Sequence, residues 1–242
     1  MNDLPQYTIR ESARAKHVII KTSLRDGLVV VVPKDFAQRQ VPQILTGKRE
    51  WIERALARIE QKKAVLGADS DGALPARINL NAINEEWLID YEQGVASRVT
   101  LTVQGERRLL ISGDIGDRSL VRTVLRRFLI SKAKVDLIAW LRFLADERGF
   151  VVNKVSVRLQ KTRWGTCSFH GAISLNAKLL FLPHDLVDYV MIHELCHSVH
   201  HNHSASFWRL VEEHMPQVET MRRRLRDDAW RFIPPWLDGV QL

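Results

Sequence analysis

The stretch VDYVMIHELCHSV, residues 187–199, restricts this chain more than any other. It has no proline and its apolar residues recur at helical spacing, so it predicts a helix. On that helix His193 and His197 lie one turn apart on one face. Two imidazoles so placed can reach one metal ion, with zinc–nitrogen bonds of about 2.0–2.1 Å. Glu194, about 100° round the helix, can reach a water on that ion without binding the ion itself. The pentad therefore reads as two ligands and a general base.

A catalytic zinc takes a third protein ligand and leaves a position to water. The segment 192–208, IHELCHSVHHNHSASFW, holds five of the nine histidines and offers several candidates. On a straight helix His200 and His201 would sit about 10–12 Å along the axis from His193, too far to share one ion. The third ligand should come from chain that has turned back. Asn202 tolerates a left-handed turn and Ser204 can cap a new helix, which places His203 between them. His200 and His201 are expected on the helix end leading to the turn, and His214 on the surface near a helix C-terminus. Glu212 or Glu213 on the second helix is the alternative third ligand.

The remaining elements come in blocks. YTIRES and HVIIKTSLRDGLVVVVP read as strands, with Asp26-Gly27 as a hairpin turn. One helix is expected from about Phe36 to Lys63, carrying Ile44, Leu45, Trp51, Ile52, Leu56 and Ile59. VLGADSDGALPAR follows as the linker, so the expected division is 1–66 and 77–242. Residues 77–113 read as a strand meander. Residues 119–148 read as a long amphipathic helix with Leu120, Val124, Phe128, Val135, Ile138 and Leu141 among its apolar positions, ended by Gly149. KVSVRLQKTRWGTCSFHGAISLN predicts two strands around the turn SFHG. The histidine helix should start near Pro183–Asp185, and the next should end at Pro216. The tail FIPPWLDGVQL has too much proline for regular structure. Strands and helices in blocks indicate an α+β fold.

Composition narrows the function classes. The longest apolar runs are strand-sized, which argues against a membrane span. The start has no apolar core of a signal peptide, and Cys167 and Cys196 form no closely spaced zinc pair, so a cytoplasmic protein with reduced thiols is expected. The net charge of +8 fits an acidic partner such as nucleic acid, but solvated helix faces are the favoured explanation.

With His203 included, the pattern is HExxHxxxxxH. It shares the ligand spacing of the metzincins, but His200 stands where their turn glycine would be. RWGTCS (163–168), ISLN (173–176), the proline with VDYVMIHELCH (183–197), NHSASFW (202–208) and Met215-Pro216 resemble the YgjP-like metallopeptidases, relatives of the SprT-like proteins. The N-terminal strands and KREWI (48–52) are similar too. The resemblance implies a zincin-like catalytic domain with an N-terminal β-rich region. It also implies Zn²⁺ on His193, His197 and His203, Glu194 as catalytic acid/base, and a peptide or protein substrate. A non-catalytic zinc or nucleic-acid-binding module, or a DNA-associated protease, is the alternative.

In zincin-type enzymes a strand near the metal aligns extended substrate, and Gly171 to Asn176, with Gly171 and Ile173, is the candidate here; an ordinary interior strand is the equal alternative. Arg163 is a candidate to hold an oxyanion or a substrate carboxylate, or else it ties down a loop while Trp164 packs under the helix. Asp188 and Asn176 are candidates to orient ligand histidines, and Met215 to lie beneath the metal or to fill the core.

Overall fold

The structure is a computed structural model that describes residues 4–23, 27–67 and 74–238. The chain divides into two compact units, Met1–Ala73 and Leu74–Leu242. Helices and mixed sheets together make it α+β.

In the first unit, β1 (Tyr7–Ser12), β2 (Ile19–Ser23) and β3 (Gly27–Pro33) form a three-stranded sheet in the order β1-β3-β2. β3 is central, parallel to β1 and antiparallel to β2, and its run Leu28–Val32 is buried, as a continuous apolar strand between two neighbours should be. Asp26 of the expected hairpin turn lies outside the described residues, as do 68–73 of the linker. The single helix expected here is two, α1 (Val41–Thr46) and α2 (Arg49–Gly67). The break is local: Lys48 N–H donates to Leu45 O across only three residues, beside Gly47, a weak helix former. Val41, Leu45 and Ile52 pack with Leu28, Val30 and Val32 as the core of this unit.

The second unit contains two sheets around one long helix. β4 (Arg77–Leu80), β5 (Glu85–Gln93), β6 (Val99–Gln104) and β7 (Arg108–Gly113) are ordered β4-β5-β7-β6. This is not a meander. β6 and β7 form a hairpin, and β7 then pairs in parallel with β5, leaving β6 at the edge.

α3 (Arg118–Arg148) is capped by Asp117, whose carboxylate accepts from Ser119 and Leu120 N–H, and it ends at Gly149 in the left-handed region, φ 72°. Its buried stripe is Val121, Leu125, Leu129, Ala133, Leu137 and Leu141, one residue every four. Of the apolar positions expected from sequence, Leu141 lies in this stripe and the others beside it. Leu120 and Val135 are exposed, and Val124, Phe128 and Ile138 only flank the core.

β8 (Lys154–Arg158), β9 (Gly165–Cys167) and β10 (Ala172–Asn176) form a sheet in the order β8-β10-β9. The expected turn SFHG joins β9 to β10, with Gly171 at φ 69°. The strand expected before that turn is in fact two, because 159–164 leave the sheet as a loop. α4 (His184–Cys196), α5 (Ala205–His214) and α6 (Val218–Asp227) follow. The described part of the tail, to 238, does contain regular structure. α7 (Pro235–Asp238) starts on a proline, which the first helical position accepts, and it buries Trp236 and Leu237. Arg126 Nη2 and Nε hold the Leu237 carbonyl at 2.8 and 3.1 Å.

A candidate metal centre at the end of α4

α4 is buried along most of its length, which puts the histidine pentad against the core. The helix ends sooner than expected, at Cys196, with His197 as its cap. Short-range bonds then tighten the chain. Ser198 N–H and Oγ both reach Leu195 O, and Val199 N–H reaches Cys196 O. Asn202 is not left-handed. Its Oδ1 accepts from Ser204 N–H at 3.3 Å, and the return is made without a positive φ. Ser204 caps α5 as expected, its Oγ accepting from Phe207 N–H.

The return brings His203 to the pentad. His203 Nε2 lies 3.2 Å from Nε2 of His193 and 3.2 Å from Nε2 of His197. Nitrogens bound tetrahedrally to one ion at about 2.0–2.1 Å are about 3.3–3.4 Å apart, so the observed spacing fits such an ion. Among the described residues these three form the one close group of potential metal ligands. Glu212 and Glu213 are exposed and lie outside it.

Two of the histidines, His193 and His197, are held toward the neutral form that binds metal. Burial, with the neighbouring imidazoles, pushes His193 down to about 3, and burial also lowers His197. His197 Nδ1 is 3.0 Å from the His200 carbonyl. With Nδ1 donating to that carbonyl, the lone pair on Nε2 faces the other two rings. His200 thus contributes its backbone.

Glu194 is 6% exposed, and burial pushes its carboxyl up to about 7, partly offset by the charge of Arg163. Its room comes from Gly165. A Cβ there would lie 2.7 Å from both Cγ and Oε1 of Glu194. The RWG segment is fixed by Asn176, which is 2% exposed. Asn176 Nδ2 donates to Arg163 O at 2.7 Å and to Gln160 O at 3.0 Å, while its Oδ1 accepts from Lys178 N–H. Asn176 therefore orients the loop opposite Glu194, not a histidine. Asp188 does not orient a ligand either: its oxygens take the Trp140 indole N–H at 2.9 Å and face His184 Nδ1 at 3.3 Å.

Two aromatic residues underlie the site. Phe207 is fully buried and lies 5.0, 4.4 and 5.0 Å from the rings of His193, His197 and His203. Trp208 stacks on His203 at 5.6 Å and touches His193 at 5.9 Å. Phe207 occupies the place considered for Met215, which caps α5 and flanks the core. The sequence reading missed Gly165, Phe207 and Trp208. Apolar periodicity on α5 signals burial of Phe207 but not what it touches.

The strand expected to align substrate is corrected. β10 is central, paired with β8 and β9, and Ile173 is 1% exposed. Gly171 lies in the turn, its carbonyl accepting from Asn153 N–H at 3.3 Å. The edge strand beside Glu194 is β9. Asn176 N–H bonds Trp164 O and Ser168 N–H bonds Ala172 O, so Thr166 also faces β10 by alternation. Gly165 and Cys167 then turn their N–H and C=O groups to the open side.

The profile of the YgjP-like metallopeptidase domain matches residues 16–228. The chain belongs to the YgjP-like metallopeptidase family. Among solved structures, the metallopeptidase zymogen of Pyrococcus abyssi abylysin is 33% identical. That match covers 35% of this chain and 87% of that chain, with a TM-score of 0.33. Among curated proteins no match was found. As a YgjP-like metallopeptidase the chain is a metal-dependent hydrolase of peptides or proteins. No helix among its described residues is long and apolar enough to cross a membrane.

Proposed function

We propose that this YgjP-like chain hydrolyses peptide bonds using a zinc ion on His193, His197 and His203, with Glu194 as general base. The observation that carries the reading is the convergence of three Nε2 atoms beside a buried carboxyl. Three imidazoles at tetrahedral spacing, with no thiolate among them, suit zinc. When bound, the ion would supply a Lewis acid that polarises the scissile carbonyl and acidifies a water. Glu194 takes one proton from the attacking water and passes it to the departing amine nitrogen as the C–N bond breaks. In the metal-free chain burial raises its carboxyl to about 7, which favours a group that takes up a proton and releases it again.

The open edge of β9 supports alignment of an extended substrate by main-chain pairing at Gly165 and Cys167, directly beside Glu194. Arg163 is exposed and its charge reaches Glu194, so it serves to hold an anionic group of the substrate or the developing oxyanion. Cys167 and Cys196 are both free thiols, which supports a reducing, cytoplasmic setting. A purely structural metal site would have no use for the buried Glu194.

Metal analysis paired with cleavage of an unfolded protein substrate tests the assignment. Glu194→Gln should retain one zinc per chain and lose about 10²–10⁴-fold in kcat. Wild-type cleavage by that variant would refute the general base. His203→Ala retaining zinc with wild-type affinity would refute the third ligand.

A further inference from the structure

The three histidines are not supported alike. Only His197 has its second nitrogen against a carbonyl, that of His200; the His193 ring is held by packing on the buried α4, its Nδ1 buried without a hydrogen-bond partner among the described residues. His203 is exposed on the connection between α4 and α5, and its contacts through nitrogen are made by Nε2 alone among the described residues. A ligand histidine ordinarily has its other N–H fixed by a carboxylate, carbonyl or water, which sets the plane of the ring. His203 has aromatic neighbours instead. Phe207 meets it edge-on, 83° between planes, and Trp208 lies nearly parallel, at 23°.

Trp208 is itself held. The guanidinium carbon of Arg222, on α6, is 4.7 Å from the centre of the indole ring. A planar guanidinium covers an aromatic ring as the compact ammonium of lysine cannot. Arg222 Nη1 also reaches Glu219 Oε1 at 3.4 Å, one turn back on the same helix. Three successive elements, the α4–α5 connection, α5 and α6, thus meet at one indole.

We propose that Trp208, held by Arg222, is the positioning residue for His203 and fixes by stacking the ring plane that a hydrogen bond fixes elsewhere. The proposal rests on the reading of His203 as a metal ligand. Trp208 does not touch the reacting atoms. Its effect is on how often the free His203 ring is found facing the other two, and therefore on metal affinity.

The test measures zinc affinity of the full chain by competition with a chromophoric chelator, for Trp208→Leu, Trp208→Phe, Arg222→Leu, Arg222→Lys and His203→Ala. Trp208→Leu should bind zinc about 10–100-fold more weakly, as loss of an orienting partner does. Trp208→Phe, which keeps a flat ring, should recover most of that loss. Arg222→Leu and Arg222→Lys should both weaken binding, lysine being no substitute for the stack.

A second readout needs no metal. The imidazole carbon-bound proton resonance of His203 in the metal-free protein should carry the ring-current shift of Trp208 and lose it in Trp208→Leu but not in Trp208→Phe. If His203→Ala keeps zinc at wild-type affinity, the ligand assignment fails. If His203→Ala loses zinc while Trp208→Leu binds as wild type with the His203 resonance unmoved, the positioning role alone is overturned. Should Trp208→Leu fail to fold, the half-exposed Arg222→Leu decides in its place, and unaltered zinc affinity there overturns the clamp.

Discussion

Gly165 and Glu194 occupy one another's space: a methyl group on Gly165 would come within 2.7 Å of the Glu194 Oε1 atom. Gly165→Ala should therefore push the carboxylate aside. The atoms displaced are the far end of a flexible side chain, so the fold should survive and zinc content should be unchanged. Displacing a catalytic group by about 1 Å costs about 10²-fold in rate. Steady-state kinetics with metal analysis of Gly165→Ala checks this, and wild-type kcat would mean Glu194 needs no fixed place.

The free edge of β9 yields a sharper contrast. Proline at Cys167 removes an N–H that faces outward, whereas proline at Thr166 removes one that bonds β10. Cys167→Pro should raise KM for an extended peptide with little loss of stability. Thr166→Pro should lower the melting temperature. Equal effects of both substitutions would argue against substrate pairing at this edge.

Asn176 ties three backbone groups of the loop before β9 and of the turn after β10. Asn176→Ala removes the side-chain partner of one buried and two part-buried backbone groups, which should cost about 2–4 kcal/mol. Urea denaturation measures that loss. Activity should fall with it, because the same bonds set the position of Gly165 opposite Glu194.

A second source of pH sensitivity lies away from the metal site, where Lys132 on α3 bonds Glu85 at the start of β5 at 3.0 Å. Burial alone would raise the Glu85 carboxyl, but hydrogen bonds from Lys132 and Trp87 outweigh it and hold Glu85 below its ordinary value. Burial would lower Lys132, but Glu85 and Asp136 outweigh it and hold that ammonium above its ordinary value. The Glu85 contribution is thus full above the ordinary carboxylate value of about 4.5 and is lost as pH falls through the lower folded value. The Lys132 contribution is full below about 10.5 and is lost as pH rises through the higher folded value. Glu85→Gln should cost about 1–2 kcal/mol at neutral pH, with the deficit shrinking in acid. Unfolding curves at neutral pH and near pH 3 test this, and a deficit that is constant with pH would exclude the pair as its source.

What the sequence made legible was local. The spacing of His193 and His197, the cap at Ser204, the stop at Gly149 and the position of His203 follow from helix geometry and chain reach over a few residues. Strand order was not local: nothing in residues 85–113 says that β7 returns to pair in parallel with β5. The three-residue β9 was too short for periodicity to separate from β8, so the edge was assigned to β10. The Leu120 and Val135 positions fit a helical period as well as the buried stripe does, and only packing against two sheets chooses between them. Phe207 is core, but that it lies beneath all three imidazoles is a tertiary fact.

All three metal-facing histidines and Glu194 fall between positions 193 and 203, while the core of the second unit is organised along α3. An ion held there closes only a short loop, and short loops have little chain entropy to remove. The centre is therefore a fitting attached to a finished frame. Chelation should abolish hydrolysis yet leave the α3 core and its amide protection intact, so the protein can lose its metal and regain it without refolding.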